Sequence, residues 1–309
     1  MLSLGAPVAG RTQLLEGLGF NFTVVSEAEI QEGFWDLLLR LPGQGPWLLL
    51  TTAQRRFTGL GSGINQSLEE APKHIDEYIE KQTQGKFGAW KKDLGSETAA
   101  VPVNHMLLRA EWTKPFDSAA TNPKEFFVHE HRVVWVPMMK EKAGHHFLHD
   151  PELQCSVLQM DHAGNTTSFF IFPNRGKVRQ LEDTLLPETL VKWDSLLRTR
   201  ELDFHFPKFS ISRTYTLEML LLRVTVGGGF PGQPGLNISK VTHKDMMTLD
   251  EKGSEAAAAT SVQLTPGPRP DLDLPPASDT ESNWPFLMMT FHTEMGSMLF
   301  LGKIVNPLE

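Results

Sequence analysis

Residues 251–264, EKGSEAAAATSVQL, are the stretch from which the rest of the chain is interpreted. Ser254, Glu255 and the alanines at 256–259 form a reasonable helix start, because a serine hydroxyl caps a first turn and alanine is the strongest helix former. The same residues also fit a β-strand, in which alternate side chains point to opposite faces. Local chemistry favours the helix, but both conformations remain open.

The strand alternative gives this segment two different faces. One face begins with small residues and becomes apolar, and its members are Ser254, Ala256, Ala258, Thr260, Val262 and Leu264. The opposite face carries the charge of Glu255. Small inward side chains would let such a strand slide between two others, and Pro266 would end it because proline cannot donate to a central ladder. The segment is therefore predicted to be conformationally bistable.

Six further stretches show the kind of protein to which this segment belongs. They include VNHMLLRAEWTKPFD at 103–117 and NWPFLMMTFHTEMGSMLFLGKIVNP at 283–307, and the others are 126–140, 164–182, 204–221 and 236–253. In this order they resemble the serpins, most closely the antitrypsin-like clade of plasma serpins. The resemblance implies an α+β serpin fold with three β-sheets, surrounding helices and an exposed reactive-centre loop. It implies a single serpin domain over residues 1–309, with the loop at residues 250–283.

Three places depart from the family pattern. Residues 1–5 resemble the end of a serpin helix that follows two earlier elements, so the domain is expected to begin partway and to be incomplete. Residues 57–69 are short and glycine-rich where serpins have a helix and an edge strand. Residues 222–237 are also shorter than the family pattern. The sequence therefore predicts a serpin fold with missing parts.

The resemblance assigns the proximal hinge of the loop to nine residues, namely Glu251, Gly253, Ser254, Glu255, Ala256, Ala257, Ala258, Ala259 and Thr260. In a serpin, the catalytic serine of the target protease attacks a loop carbonyl and forms an acyl-enzyme. The hinge then inserts into the main sheet as an added strand and carries the protease with it. The inward residues must stay small for this insertion, and Gly253 supplies the freedom of the hinge.

Four residues match serpin positions that support the loop. Lys208 matches the lysine that pairs with the glutamate at the base of the loop, which is Glu251 here. Asn104 and His243 match a hydrogen-bonded pair beneath the gap that the loop enters, and Trp112 matches the tryptophan at its top. Without the resemblance, each would be interpreted as an ordinary core or surface residue, and an exposed ion pair would contribute little stability.

The bond that a protease would cleave is not fixed by the sequence. Counting forward from the hinge by the family's spacing gives the bond between Gly267 and Pro268. Counting back from Asn283 gives the bond between Leu274 and Pro275. Both bonds precede proline, where most serine proteases cleave poorly, so the loop predicts no target specificity.

Composition and motifs argue against other classes of function. A net charge of -8 argues against a nucleic-acid partner, and no stretch is long and apolar enough to span a membrane. The lone cysteine, Cys155, excludes a disulfide framework and is expected to be a buried, inert thiol. Serine-hydrolase and zinc-protease motifs are absent, and the cluster His129, His131, His145, His146 and His149 is interpreted as surface histidines. We therefore expect no enzymatic activity, metal or cofactor.

Sequons indicate a secreted protein. They lie at Asn21, Asn65, Asn165 and Asn237, whereas chance would give about one. Asn21 and Asn165 also fall where antitrypsin-like serpins carry glycans, although residues 1–10 lack the basic start and apolar core of a signal peptide. The expected molecule is a secreted, monomeric glycoprotein whose partner is an extracellular serine protease.

The sequence leaves three functions open. The hinge favours a serine-protease inhibitor that acts by loop cleavage and insertion. The proline-rich loop favours a non-inhibitory serpin that carries a small apolar ligand. The departures from the family pattern favour an inactive, truncated product, since losing core helices removes more burial energy than the net stability of a domain.

Overall fold

The computed structural model describes residues 15–16, 19–40, 48–58, 77, 100–216, 242–254 and 282–309. Three α-helices are labelled α1 (Glu27–Arg40), α2 (Val178–Thr184) and α3 (Pro187–Leu196), with a 3-10 turn at Ser118–Ala120. Twelve strands follow the order β1 (Leu48–Thr58), β2 (Ala100–Glu111), β3 (Asn122–His129), β4 (Arg132–Asp150), β5 (Cys155–His162), β6 (Thr166–Pro173), β7 (Arg198–Pro207), β8 (Phe209–Thr216), β9 (Thr242–Leu249), β10 (Gly253–Ser254), β11 (Phe286–His292) and β12 (Ser297–Ile304). This mixture of helices and sheets confirms the predicted α+β class.

Local sequence explains where α1 begins. The Glu29 backbone N–H donates to Ser26 Oγ over 3.3 Å, and the Ser26 backbone N–H donates to Glu29 Oε2 over 2.8 Å. This reciprocal arrangement is a capping box, which satisfies two backbone donors that a helix start leaves unpaired. Helix α1 therefore begins directly after its own cap, and it ends at Arg40.

The first sheet contains the long strand that precedes Trp112. Its strand order is β1-β2-β9-β8, and the short strand β10 also pairs with β2. Strands β2 and β9 run parallel, with Cα partners from Val103 opposite Thr242 to Leu107 opposite Met246. Strand β10 runs antiparallel to β2 at the end of that strand. Strand β2 therefore has a parallel partner along one part and an antiparallel partner at its C-terminal end.

The second sheet has the order β12-β11-β6-β5-β4-β3, with β7 also paired to β4. Strand β4 changes partner along its length. Residues 132–138 pair with β3, residues 138–147 pair with β7, and residues 146–150 pair with β5. This long strand joins all these partners in one network of hydrogen bonds. The described strands therefore form two hydrogen-bonded networks.

Aromatic side chains fill the core of the second sheet. The ring centroid of Phe206 lies 4.5 Å from that of Phe170 and 5.5 Å from that of Phe286. All three side chains are fully buried. Such tilted pairs at close range add to the free energy that burial of the rings already supplies. Strands β6, β7 and β11 are held together by this cluster.

Cys155 lies in a second apolar cluster beneath α2 and α3. Its neighbours there include Leu181 and Trp193, which are also buried. Burial, with the nearby charge of Asp150, raises the pKa of the Cys155 thiol to about 12. The prediction of a buried and inert thiol is confirmed, because the reactive thiolate does not form at neutral pH.

Contacts between Cα atoms divide the chain into two units. One contains residues 1–44, 49–107 and 212–246, and the other contains residues 45–48, 108–211 and 247–309. The single domain over residues 1–309 stays a prediction. None of the helices among the described residues is long and apolar enough to cross a membrane.

Candidate functional site

A tight turn follows β9 and starts the segment that the sequence analysis singled out. The Asp250 backbone N–H donates to the Gly253 carbonyl over 2.7 Å, and the Gly253 N–H donates back to the Asp250 carbonyl over 3.2 Å. The Asp250 carboxylate also accepts a hydrogen bond from the Lys252 backbone N–H at 2.9 Å. The chain direction therefore reverses between β9 and β10. Residues 250–254 are called the loop base below.

The loop base touches β2 through Gly253, and only glycine fits there. Gly253 lies opposite Glu111, and Ser254 lies opposite Ala110 in the antiparallel register. The φ angle of Gly253 is +141°, a conformation that side chains disfavour. A Cβ atom at this position would lie 2.6 Å from Glu111 Cα and would collide with the Ala110 carbonyl oxygen. The backbone of the loop base therefore approaches β2 more closely than any side chain would permit.

The segment after β2 binds the carbonyl groups of the loop base. The Trp112 backbone N–H donates to the Lys252 carbonyl over 2.7 Å, and its indole Nε1–H donates to the Asp250 carbonyl over 2.9 Å. The Phe116 backbone N–H donates to the Glu251 carbonyl over 2.7 Å. Trp112 and Phe116 therefore donate hydrogen bonds to the carbonyl groups of three consecutive residues, 250–252. Trp112, predicted at this place from the resemblance, is the centre of the attachment.

The Glu251 carboxylate binds two side chains. Lys208 Nζ donates to Glu251 Oε2 over 2.8 Å, and Thr121 Oγ1 donates to Glu251 Oε1 over 2.9 Å. Burial alone would raise the pKa of Glu251, but the hydrogen bonds from Lys208, its own backbone and Thr121 outweigh burial and lower it. The structure brings Lys208 and Glu251 together as the resemblance implied. Thr121 was not foreseen, because a threonine after a short turn carries no distinctive sequence signal.

A polar network lies against the ring face of Trp112. The His162 ring stacks on the Trp112 ring, with centroids 4.2 Å apart and planes 15° apart. His162 Nε2 lies 2.8 Å from Ser168 Oγ, which in turn lies 2.9 Å from Thr290 Oγ1. Burial lowers the pKa of His162 to about 4, although nearby carbonyls and Asp161 act in the opposite direction. Sequence reasoning missed this network, because strands β5, β6 and β11 bring its members together from distant positions.

Asn104 and His243 are opposite each other in the parallel register of β2 and β9. The His243 ring also stacks on the Tyr215 ring, with centroids 6.4 Å apart. The Asn104 side chain is outside what the structure describes. The backbone therefore brings the two positions together, and a hydrogen bond between their side chains stays a prediction.

Several predicted site residues lie outside the described residues. They are the hinge residues Glu255, Ala256, Ala257, Ala258, Ala259 and Thr260, the candidate bonds at Gly267-Pro268 and Leu274-Pro275, and the sequons at Asn65 and Asn237. The other two sequons are at exposed turns. Asn21 Oδ1 accepts hydrogen bonds from both the backbone N–H and the hydroxyl of Thr23. Asn165 has φ +56° and donates from Nδ2 to Glu294 Oε1 over 2.7 Å.

The histidines of β3 and β4 do not form a metal centre among the described residues. His129, His131, His146 and His149 are exposed, as expected. His145 differs, because its ring packs edge-on against Phe204 and its Nε2 lies 3.1 Å from Glu141 Oε2. His145 is therefore only partly exposed, which departs from the expected surface position. Sheet pairing between β4 and β7 partly covers it.

Comparisons with known proteins identify the family of this chain. A family model described as "Serpin (serine protease inhibitor)" matches residues 62–307. A Homo sapiens sequence named "Putative serpin A13" is 82% identical over 221 residues, which cover 72% of each chain. Homo sapiens kallistatin is 39% identical over 348 residues, covering 100% of this chain and 79% of its own. The solved structure of human thyroxine-binding globulin with thyroxine has a TM-score of 0.86 and 32% identity, covering 100% and 88% of the two chains.

Proposed function

This chain belongs to the serpin family, and we propose that it inhibits an extracellular serine protease by cleavage and insertion of its 250–283 loop. The family description names serine protease inhibitors, and the family also contains a thyroxine-binding protein. Its inhibitory members act on proteases as inhibitors and not as catalysts. The loop of this chain would therefore bind in the active site of a protease as a substrate does.

The pairing of Gly253 and Ser254 with β2 is the observation that carries the proposal. Two residues of the loop already lie in the antiparallel register that an inserted strand would use. Gly253 is packed so closely against β2 that only a glycine is compatible with this position. The beginning of the loop is thus held at the end of the main sheet, and insertion would extend an existing ladder.

Continuing the same register predicts which pairs form during insertion. Ala256 would lie opposite Leu108, and Thr260 would lie opposite Asn104. The five pairs between β2 and β9, from residues 103–107 and 242–246, would have to separate first. The new strand would then bond to both neighbours and bury its small face. The hydrogen bonds between β2 and β9 would be replaced by hydrogen bonds from the inserted strand to both β2 and β9. The small face of the inserted strand would also be buried.

The chemistry of inhibition requires cleavage to precede complete insertion. The target serine attacks a loop carbonyl, and the loop remains attached to the protease as an ester. Cleavage frees the N-terminal part of the loop, which then extends β10 into the sheet and moves the attached protease. Hydrolysis of the ester would be slowed if this movement disturbs the protease active site. The loop base would be the fixed point around which the loop turns.

A panel of extracellular serine proteases tests this proposal. We expect at least one protease to form a covalent complex that survives denaturing electrophoresis. Ser254→Arg should abolish the complex while leaving loop cleavage intact, because a long charged side chain cannot enter the sheet. Glu255→Arg is the matched control, since this residue would be on the opposite face of the strand and its variant should still form the complex. An undiminished complex with Ser254→Arg would exclude the insertion mechanism.

Carriage of a small apolar ligand is the second candidate function. The similarity to thyroxine-binding globulin favours it, as do the prolines after both candidate bonds. Thermal unfolding before and after nicking of the loop separates the two functions. A large upward shift after nicking would support insertion and inhibition. A folded protein whose transition does not shift would support the carrier instead.

We also propose that the protein is secreted and glycosylated at its sequons. Asn21 and Asn165 are exposed at turns. The Asn21 carboxamide already accepts the Thr23 hydroxyl of its own sequon. Peptide mapping after enzymatic deglycosylation of protein from a secretory host tests each site. Unmodified asparagine at all four positions would contradict the proposal.

A further inference from the structure

Trp112 connects the loop base with a buried histidine. On one side its backbone and indole N–H groups bind two carbonyls of the loop base. On the other side its ring stacks on His162 at 4.2 Å. Trp112 is 3% exposed and His162 is 5% exposed, so water does not separate the two rings. A change in the charge of His162 would therefore act directly on the residue that holds the loop base.

The surroundings of His162 provide little compensation for a positive charge. Its partners on β6 and β11, Ser168 and Thr290, are neutral hydroxyl groups. Asp161 is the nearest acidic group, and Thr167 Oγ1 already donates to its carboxylate over 2.8 Å. The carbonyl groups of Ala110 and Glu111 favour the charged form, but burial prevails and keeps the ring neutral. An uncompensated buried charge is strongly destabilising.

We propose that His162 makes the attachment of the loop base acid-sensitive, so that protonation of this ring loosens Trp112 and releases residues 250–254 from β2. This inference concerns a conformational equilibrium of the free protein and does not depend on whether a protease is inhibited. The attached state excludes water from the ring, and the proposal requires the released state to admit water to it. Protons therefore favour the released state.

The sign and size of the effect follow from the two pKa values of His162. The pKa is about 4 in the attached state, and the proposal takes the ordinary histidine value of 6.5 for a hydrated ring in the released state. Acid therefore weakens attachment as the pH falls below about 6.5, and the effect levels off below about 4. Between about pH 7.4 and about pH 5, the released fraction should rise about 25-fold.

Other ionisable groups near Trp112 titrate differently. The pKa of Glu251 is lowered, so this carboxylate stays paired with Lys208 throughout the window between pH 6.5 and its ordinary value of 4.5. Burial raises the pKa of Asp250, so acid would favour the attached state through this group and would not loosen it. Loosening above about pH 5 therefore distinguishes His162 from both carboxylates.

Hydrogen exchange of the intact chain tests the proposal. The backbone amides of Trp112 and Phe116 report on the attachment, because they donate to carbonyls of the loop base. We expect their protection, corrected for the intrinsic exchange rate, to fall about 25-fold from about pH 7.4 to about pH 5. Amides in the β6 and β11 ladder should keep their protection. An equal loss in both places would indicate general acid unfolding and overturn the proposal, as would the absence of any loss.

Two variants isolate the proton on His162. His162→Phe and His162→Tyr keep an aromatic ring against Trp112 but cannot gain a charge. In either variant the protection of the Trp112 amide should change by less than about threefold over the same pH range. The same loss of protection in a folded variant as in the unmodified protein would overturn the proposal. The comparison between loop-base and ladder amides needs no variant, so the proposal can be refuted even if both variants fold poorly.

Discussion

The aromatic cluster of the second sheet and the loop base are held by opposite kinds of interaction. In the cluster, Phe170, Phe206 and Phe286 exclude water completely and contact one another through apolar rings. In the loop base, the principal contacts are backbone hydrogen bonds to Trp112 and Phe116 and one ion pair at Glu251. Apolar contacts that are lost from the cluster are not replaced by others. Hydrogen bonds that are lost from the loop base can be replaced by hydrogen bonds to other groups.

This difference separates a permanent core from an attachment that can be released. Removing a ring from the cluster leaves a cavity that nothing refills. Releasing the loop base exchanges its hydrogen bonds for bonds to water or to a neighbouring strand, with a small net change in free energy. The proposed insertion would therefore leave the aromatic cluster of the second sheet intact while the end of the first sheet changes partner.

The largest expected effect is on the permanent core. Phe206→Ala should lower the free energy of unfolding by about 3–5 kcal/mol, because it removes a fully buried ring and leaves a cavity. Urea unfolding followed by circular dichroism measures the loss. Leu301→Ala is the control, since Leu301 is 56% exposed and its truncation should change stability by about 0.5 kcal/mol or less. Similar losses in the two variants would contradict the assignment of the core.

The next effect concerns the close approach of Gly253. Gly253→Ala should detach the loop base, because the new Cβ would collide with Ala110 and the φ angle is unfavourable. We expect the amide of Trp112 to exchange more than about tenfold faster, with about 1–3 kcal/mol lost from local stability. Gly296→Ala is a matched control, since its φ is also positive at +58° but its added Cβ would have no atom within 4 Å. Equal effects in both variants would mean that backbone strain alone is responsible.

The smallest effect concerns the ion pair of the loop base. Glu251→Gln should destabilise the attachment by about 0.5–1 kcal/mol, because Lys208 is 41% exposed and water screens the pair. The pKa of Glu251 is lowered, so its contribution is present above its ordinary value of 4.5 and disappears as the pH falls through the folded value. The difference between the unmodified protein and Glu251→Gln in exchange of the Phe116 amide should therefore vanish in acid.

A surface ion pair provides the control for Glu251. Lys140 and Asp203 are 3.2 Å apart, and both side chains are more than 40% exposed. Asp203→Asn should leave exchange at the loop base unchanged at every pH. A loss at the loop base in this variant, or no loss in Glu251→Gln at neutral pH, would contradict a supporting role for the pair with Lys208.

Several features of the fold and the site were predicted from the sequence alone. The thiol of Cys155 is buried and inert as expected, since its pKa is raised to about 12. The pair of Lys208 and Glu251 and the place of Trp112 were predicted through the resemblance to serpins. These features depend on patterns that are local in the sequence or matched to a family.

Other features depend on contacts that have no local pattern. His162, Ser168 and Thr290 come from β5, β6 and β11, and only the pairing of these strands places their polar atoms within hydrogen-bond distance. The partial burial of His145 likewise follows from the register of β4 with β7. Neither result follows from the spacing of residues along the chain.

The sequence by itself determined the family and the α+β class, and it predicted a requirement for small residues in the hinge. Only the tertiary structure decided that Gly253 and Ser254 lie against β2 and that a buried histidine supports Trp112. The physical reason is that helix caps and alternating faces depend on near neighbours, whereas close backbone approach and desolvation depend on strands that are more than a hundred residues apart.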